Sequence, residues 1–184
     1  MPKQTKTNAM RMLDKAKINY EAITYTVDEN DLSGTHIARQ VGLEFERVFK
    51  TLVAKGDKTG PVVFCIPVDK EVDLKKAAKV TGNKKIEMIH VKDLLNLTGY
   101  IRGGCSPIGM KKKFPTFINE TAKNFDKITV SAGVRGCQLL IGTDDLQKVT
   151  DSAFCDLTLW KVYFSKVIFF IKITNNAHYK NITS

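Results

Sequence analysis

Residues 100–113 read Y-I-R-G-G-C-S-P-I-G-M-K-K-K. Glycines let a backbone adopt positive φ and come close to a ligand. A loop of exposed N–H groups can cradle an anion or a polarised carbonyl, and the lysines at 111–113 add mobile positive charge for phosphate. A plain Gly-Pro turn followed by a solvated lysine run would share this composition. A second candidate is Lys50. It interrupts R-V-F-K-T-L-V-A, a run that is apolar on both sides of it. A lysine so placed either snorkels to solvent at a sheet edge or lines a pocket, where its ammonium grips a phosphate or carbonyl. His36 and His90 stand near no obvious nucleophile, so no Ser-His or Cys-His pair is legible.

The four cysteines, Cys65, Cys105, Cys137 and Cys155, form no C-x-x-C pair and have no histidine at ligand spacing. Neither a metal nor any other cofactor is expected. Residues 1–5 are polar, so no secretory signal, no disulfides and a cytoplasmic location are expected. A balance of 29 Lys and Arg against 19 Asp and Glu gives +10 in 184 residues, which favours an anionic partner.

The elements that must hold these residues alternate irregularly. Helical spacing is present over 8–17, 35–41 (stopped by Gly42), 73–80 (capped by Asp73, ended at Gly82) and 91–97 (ended by Gly99). A last helix is expected over 143–154, capped by Thr143. Strand patterns occupy 20–27, 48–55, 61–68, 85–88, 116–118, 128–131 and 138–141, and the turn 56–60 joins the second and third as a hairpin. This is an α+β pattern around a mixed sheet, without the regular beat of a doubly wound fold.

Five segments, in order, resemble one family. They are V-F-K-T-L-V at 48–53, D-L-K-K-A-A at 73–78, K-K-I-E-M at 84–88, G-Y-I-R-G-G-C-S-P-I-G at 99–109 with Lys111 and Lys112 following, and S-A-G-V-R-G at 131–136. The chain resembles the YbaK family of aminoacyl-tRNA deacylases, which is related to the editing domain of bacterial prolyl-tRNA synthetase. The G-G-x-S-P form is closer to the free-standing Cys-tRNA(Pro) deacylases than to the inserted domains that remove alanine.

The resemblance implies a mixed, partly barrel-like β-sheet surrounded by short helices. It implies hydrolysis of the ester joining a wrong amino acid, cysteine above all, to tRNA(Pro). Lys50, Gly103 and Gly104 are the implied catalytic residues: the lysine holds the 3′-terminal nucleotide, and the glycines offer N–H groups to the ester carbonyl. Tyr25, Thr51, Cys105, Ser106 and Gln138 are the implied substrate-binding residues. Lys111, Lys112 and Lys113 are implied weak tRNA contacts. The substrate's own thiol or ribose hydroxyl is the implied attacking group. Prolyl-tRNA synthetase is an implied partner, and a monomer is favoured.

Two departures stand out. Gln138 occupies the position where the family carries Asp, which would hold the substrate ammonium. Residues 1–158 form the expected editing domain, and 159–184 are an extension. The apolar core of that extension, 167–171, is too short to span a membrane, and its β-branched and aromatic content favours an edge strand or a dimer contact. The sequon at 181–183 is not expected to be used without a secretory signal. Two alternatives stay open: a non-catalytic tRNA-binding or regulatory module, and a deacylase that prefers alanine. A nucleotide-binding P-loop is disfavoured, because Met110 stands where the lysine belongs and Phe114-Pro115 breaks the helix.

Overall fold

The computed structural model describes residues 6–159. The expected extension beyond Leu159 lies outside the described residues, apart from Leu159 itself. Among the described residues five α-helices and eight strands follow one another. Helix α1 is Asn8–Lys15, with Thr7 Oγ1 accepting from the Met10 N–H. Strand β1, Tyr20–Thr24, is followed by α2, Gly34–Val41, capped by Ser33. Strands β2, Phe49–Gly56, and β3, Gly60–Pro67, pair antiparallel from Phe49↔Pro67 to Gly56↔Gly60. This is the hairpin expected from the turn composition at 56–60.

Helix α3, Leu74–Thr81, begins at Asp73, whose carboxylate accepts from the Lys75 and Lys76 N–H groups. It ends at Gly82 with φ +70°, a backbone state that costs a glycine nothing sterically. Strand β4 is Ile86–Met88, and α4 is Val91–Thr98. Strands β5, Thr116–Asn119, β6, Lys127–Ser131, and β7, Cys137–Gly142, come next. Helix α5 is Thr143–Thr150, and β8 is Ala153–Cys155.

The expectation for the last helix is corrected in two respects. Gly142 is the cap, and Thr143 is the first helical residue, its hydroxyl donating to the Phe125 carbonyl (2.6 Å). The helix stops at Thr150 because Asp151 turns to φ +53°, a state Asp tolerates better than most residues. The apolar residues beyond then pair parallel with β5 as β8, at Phe117↔Ala153 and Ile118↔Phe154.

Two sheets result. The larger has the order β4-β2-β3-β5-β8, with β3-β5 and β5-β8 parallel, and the smaller has the order β1-β7-β6. They meet where Val48 bridges to Thr129. Alternation along β2 and β3 divides the core. Phe49 and Cys65 face inward against Val130, Leu139 and Ile141 of the small sheet, closed by Leu13 of α1 and Leu146 of α5. Ala54, Phe64 and Ile66 face outward against Ala77 and Ala78 of α3. Val53 and Val63 pack beneath Tyr100 and Cys105, so the far end of the hairpin supports the glycine loop.

The tip of the hairpin is closed by Asn83, which is buried. Its Oδ1 accepts from the Lys58 and Thr59 N–H groups (2.9 and 3.1 Å), and its Nδ2 donates to the Thr59 and Thr81 hydroxyls (2.9 and 2.7 Å). Asn83→Ala strands these groups. It should cost about 1–3 kcal/mol in stability, read as a lower urea midpoint with an unchanged slope. A midpoint equal to wild type would show that water replaces the amide at no cost.

Candidate functional site

A cavity of about 600 Å³ opens between the start of β2 and the glycine loop. Its wall takes residues from the N-terminus of α2, from β2, from the turn after β3, from α4, from the loop and from the ends of β6 and β7. The size suits a small-molecule moiety with a few fixed polar groups. Gly34 is required here, because a Cβ on it would lie 2.4 Å from Val68 Cγ1. That contact seats α2 against the turn after β3.

Lys50 lines the cavity, which resolves the two readings of a lysine in an apolar run. Its side chain is 26% exposed, and its Nζ donates to the Val68 carbonyl (3.3 Å) and lies 3.5 Å from Glu71 Oε1. The carboxylate is at the surface and the pair is long, so it holds Lys50 weakly. Thr51 and Gln138 also line the cavity. Gln138 is 4% exposed. Gln138 Oε1 and Asp69 Oδ1 on the same wall are buried and have no hydrogen-bond partner, while the Thr51 hydroxyl is in contact with the Cys65 thiol. Buried polar atoms are nearly always satisfied. Two orphans on one wall are acceptors left for an external polar group.

The glycine loop divides differently from the expectation. Gly103 is on the wall at φ +83°, and its N–H donates to no backbone acceptor among the described residues. Gly104 is off the wall. Its N–H is spent on the Ile101 carbonyl (3.0 Å), and a Cβ on it would meet Val134 C at 3.0 Å. It is a glycine because two backbones touch there, and its N–H is used within the loop. Cys105 takes its place on the wall, and its N–H likewise has no backbone acceptor among the described residues. Ser106 is also off the wall, with no exposed surface, and its hydroxyl accepts from the Ile108 N–H. Tyr25 is half-buried outside the cavity, its N–H donating to the Gly136 carbonyl. Lys111, Lys112 and Lys113 are exposed and do not line the wall. Lys111 packs its stem over Gly99, and Lys113 pairs with Asp151.

Burial pushes the Cys105 thiol up to about 12. At neutral pH it is protonated and cannot act as a nucleophile. No histidine lines the cavity among the described residues: His36 contacts Asp31 and Gln40, and His90 precedes α4. The wall therefore offers a cation, backbone N–H groups and acceptors, and hydroxyls of which Ser33 is hydrogen-bonded to the Asp31 carboxylate.

Sequence reasoning missed Asp69, Glu71, Arg102 and Arg135. The first two follow a strand and look like turn residues, with no local signal that the chain wraps back onto Lys50. Arg135 ties the site together. Its Nε donates to the Arg102 carbonyl (2.9 Å), its Nη1 pairs with Glu29 (2.6 Å), and its Nε lies 3.3 Å from where a Gly103 Cβ would be.

The aminoacyl-tRNA editing domain family matches residues 33–149. The chain belongs to this family. It is 51% identical over 155 residues to the Enterococcus faecalis (strain ATCC 700802 / V583) protein named "Putative Cys-tRNA(Pro)/Cys-tRNA(Cys) deacylase EbsC", covering 84% of this chain and 94% of that one. It is 23% identical over 115 residues to YwhH of Bacillus subtilis (strain 168), covering 62% and 73%. The fold is shared with a solved structure described as "a putative trans-editing enzyme for prolyl tRNA synthetase", at TM-score 0.75 and 19% identity over 86% of this chain and 99% of that one. It is shared equally with the protein APE2540, at TM-score 0.76 and 16% identity over 83% and 100%. The expected α+β fold is therefore borne out.

Two outcomes test the site. Arg135→Ala frees the loop while removing little buried apolar surface. Turnover should fall about tenfold or more, with a melting temperature within a few degrees of wild type; equal losses in both would make Arg135 a stability residue. Alkylation of Cys105 by iodoacetamide should be slow at pH 7 and keep accelerating beyond pH 9, because a thiol whose pKa is raised gains thiolate only as pH approaches that value. A plateau near pH 8 would overturn the burial argument.

Proposed function

We propose that this chain is a trans-editing hydrolase that cleaves the ester joining cysteine to the 3′ end of tRNA(Pro). The observation that carries the reading is Lys50 Nζ on the wall of a cavity that also holds Gly103, whose N–H is left without a backbone acceptor. Support comes from family membership and from the deacylase name of the 51%-identical relative.

In this reading Lys50 exchanges its weak contact with Glu71 for a phosphate or ribose oxygen of the terminal nucleotide. The Gly103 and Cys105 N–H groups donate to the ester oxygen as it gains charge. In acyl transfer, preorganised donors of this kind usually supply more of the rate enhancement than any other single effect. The attacking group is water or, as the resemblance implies, the substrate's own thiol. It forms a new bond to the carbonyl carbon, and the bond to the ribose oxygen breaks. The attacker's proton passes to that oxygen, and free cysteine or its thiolactone is released. Gln138 Oε1 accepts from the substrate amine as a neutral partner. Thr51 lies beside Lys50 in sequence and supplies an acceptor or donor to the same ligand. The +10 charge, with Lys111 and Lys112 exposed, attracts the tRNA backbone through screened, sequence-independent contacts. Prolyl-tRNA synthetase as partner and a cytoplasmic location belong to this proposal. No helix among the described residues is long and apolar enough to cross a membrane.

The test is a deacylation panel of Cys-, Ala- and Pro-charged tRNA(Pro) with wild type and Lys50→Ala. Cys-tRNA(Pro) should be hydrolysed fastest, and Lys50→Ala should lower that rate by about a hundredfold or more while the protein stays folded. Binding without hydrolysis would make the chain a tRNA-binding module. Faster release of alanine would reassign the substrate. Near-normal activity in a folded Lys50→Ala protein would remove the lysine from the mechanism.

A further inference from the structure

An aminoacyl ester carries an ammonium, and Gln138 can bond it without balancing its charge. Lys50 adds a second cation to the same cavity, so an uncompensated ammonium would be repelled there. Two carboxylates line the cavity, Asp69 and Glu71. Asp144 and Asp145, the acidic residues nearest Gln138 in sequence, lie at the start of α5 and are not on the wall. Glu71 is 73% exposed at the mouth, and its side chain pairs with Lys50. Asp69 is different. Its side chain is 21% exposed, Oδ2 is held by Lys70 Nζ at 2.5 Å, and Oδ1 is buried with no partner.

We infer that Asp69 is the group that recognises the substrate's amine, with Oδ1 accepting from the ammonium; this rests on the deacylase reading above. Three observations converge. Lys70 holds one carboxylate oxygen, which limits the rotation of the other. The free oxygen is covered by protein in the empty site and meets the ammonium only when that cover shifts on binding, and in such a desolvated place a charge-assisted hydrogen bond is worth most. The backbone places it well, because Asp69 directly follows Val68, whose carbonyl accepts from Lys50. One turn thus presents an acceptor for the amine beside the cation for the nucleotide. Asp69 follows β3 and Gln138 lies on β7, so no motif linked them.

The probes are two non-hydrolysable compounds, 3′-cysteinylamino-3′-deoxyadenosine and its N-acetyl derivative, measured by calorimetry. Wild type should bind the free amine about tenfold or more tighter. Asp69→Asn keeps the shape and removes the charge; it should erase that preference by weakening the amine compound alone. Asp69→Ser gives the same readout if the Asn variant folds poorly. Equal affinity of wild type for both compounds overturns the assignment. So does a loss shared equally by both compounds in the variants, which would mark a structural role. Collapse of the preference in Glu71→Gln but not in Asp69→Asn would assign the amine to Glu71 and overturn it as well. These probes need no turnover. A chain that shows the preference yet leaves Cys-tRNA(Pro) intact refutes the deacylase reading and keeps Asp69, whereas failure to bind either compound refutes both.

Discussion

The site depends on the antiparallel ladder between β2 and β3. It runs in unbroken register from Phe49↔Pro67 to Gly56↔Gly60, and both faces are covered. A slip of one residue in β2 against β3 would turn Phe49 and Val53 outward and Ala54 inward while β3 kept its faces, taking β2's residues out of their cores. The register is therefore fixed by packing on both sides. Lys50 inherits that precision: it lies opposite Ile66, and the chain that continues from β3 returns the Val68 carbonyl to its ammonium. A cation held on a long flexible stem becomes a defined feature only because the strand beneath it cannot shift.

The cost of the site is visible in its polar atoms. Each buried acceptor without a partner sacrifices about 1–3 kcal/mol, and Asp69 and Gln138 contribute two on one wall. Elsewhere the fold satisfies its buried amides closely. Asn83 uses both ends of its side chain in the hairpin tip, and Asn119 accepts from the Leu157 N–H while donating to Thr121. The same chain that closes these networks leaves the cavity open. A ligand that completes the bonding recovers energy spent in folding, which is how preorganised sites gain affinity.

Much of the frame was legible. Asp73, Gly42, Gly82 and Gly99 end or begin helices as their chemistry requires, and the hairpin followed from two strand-like apolar runs plus a turn-rich joint. Lys50 was legible as a charge in the wrong company, although its pocket was not. Strand β8 was missed because its residues also fit a continued helix, and only parallel pairing with β5, a long-range contact, decides the matter. Arg135 and Asp69 were illegible for the same reason. Their meaning lies in what they meet across the fold, in Arg102 for one and in the cavity for the other.

The two adjacent glycines show the limit most sharply. A glycine pair states that bare backbone is needed twice and does not say what approaches it. Gly103 takes positive φ beside Arg135 and keeps its N–H clear of backbone acceptors, while Gly104 is pressed against Val134 and spends its N–H within the loop. The two demands are linked. The turn closed by Gly104 fixes the peptide on either side of it, and so sets the direction of the N–H groups at 103 and 105. A side chain at 104 would push the loop off Val134 and misdirect both donors, although Gly104 is not on the cavity wall. The residue that looks chemical holds the frame, and the N–H groups without a backbone acceptor belong to its neighbours.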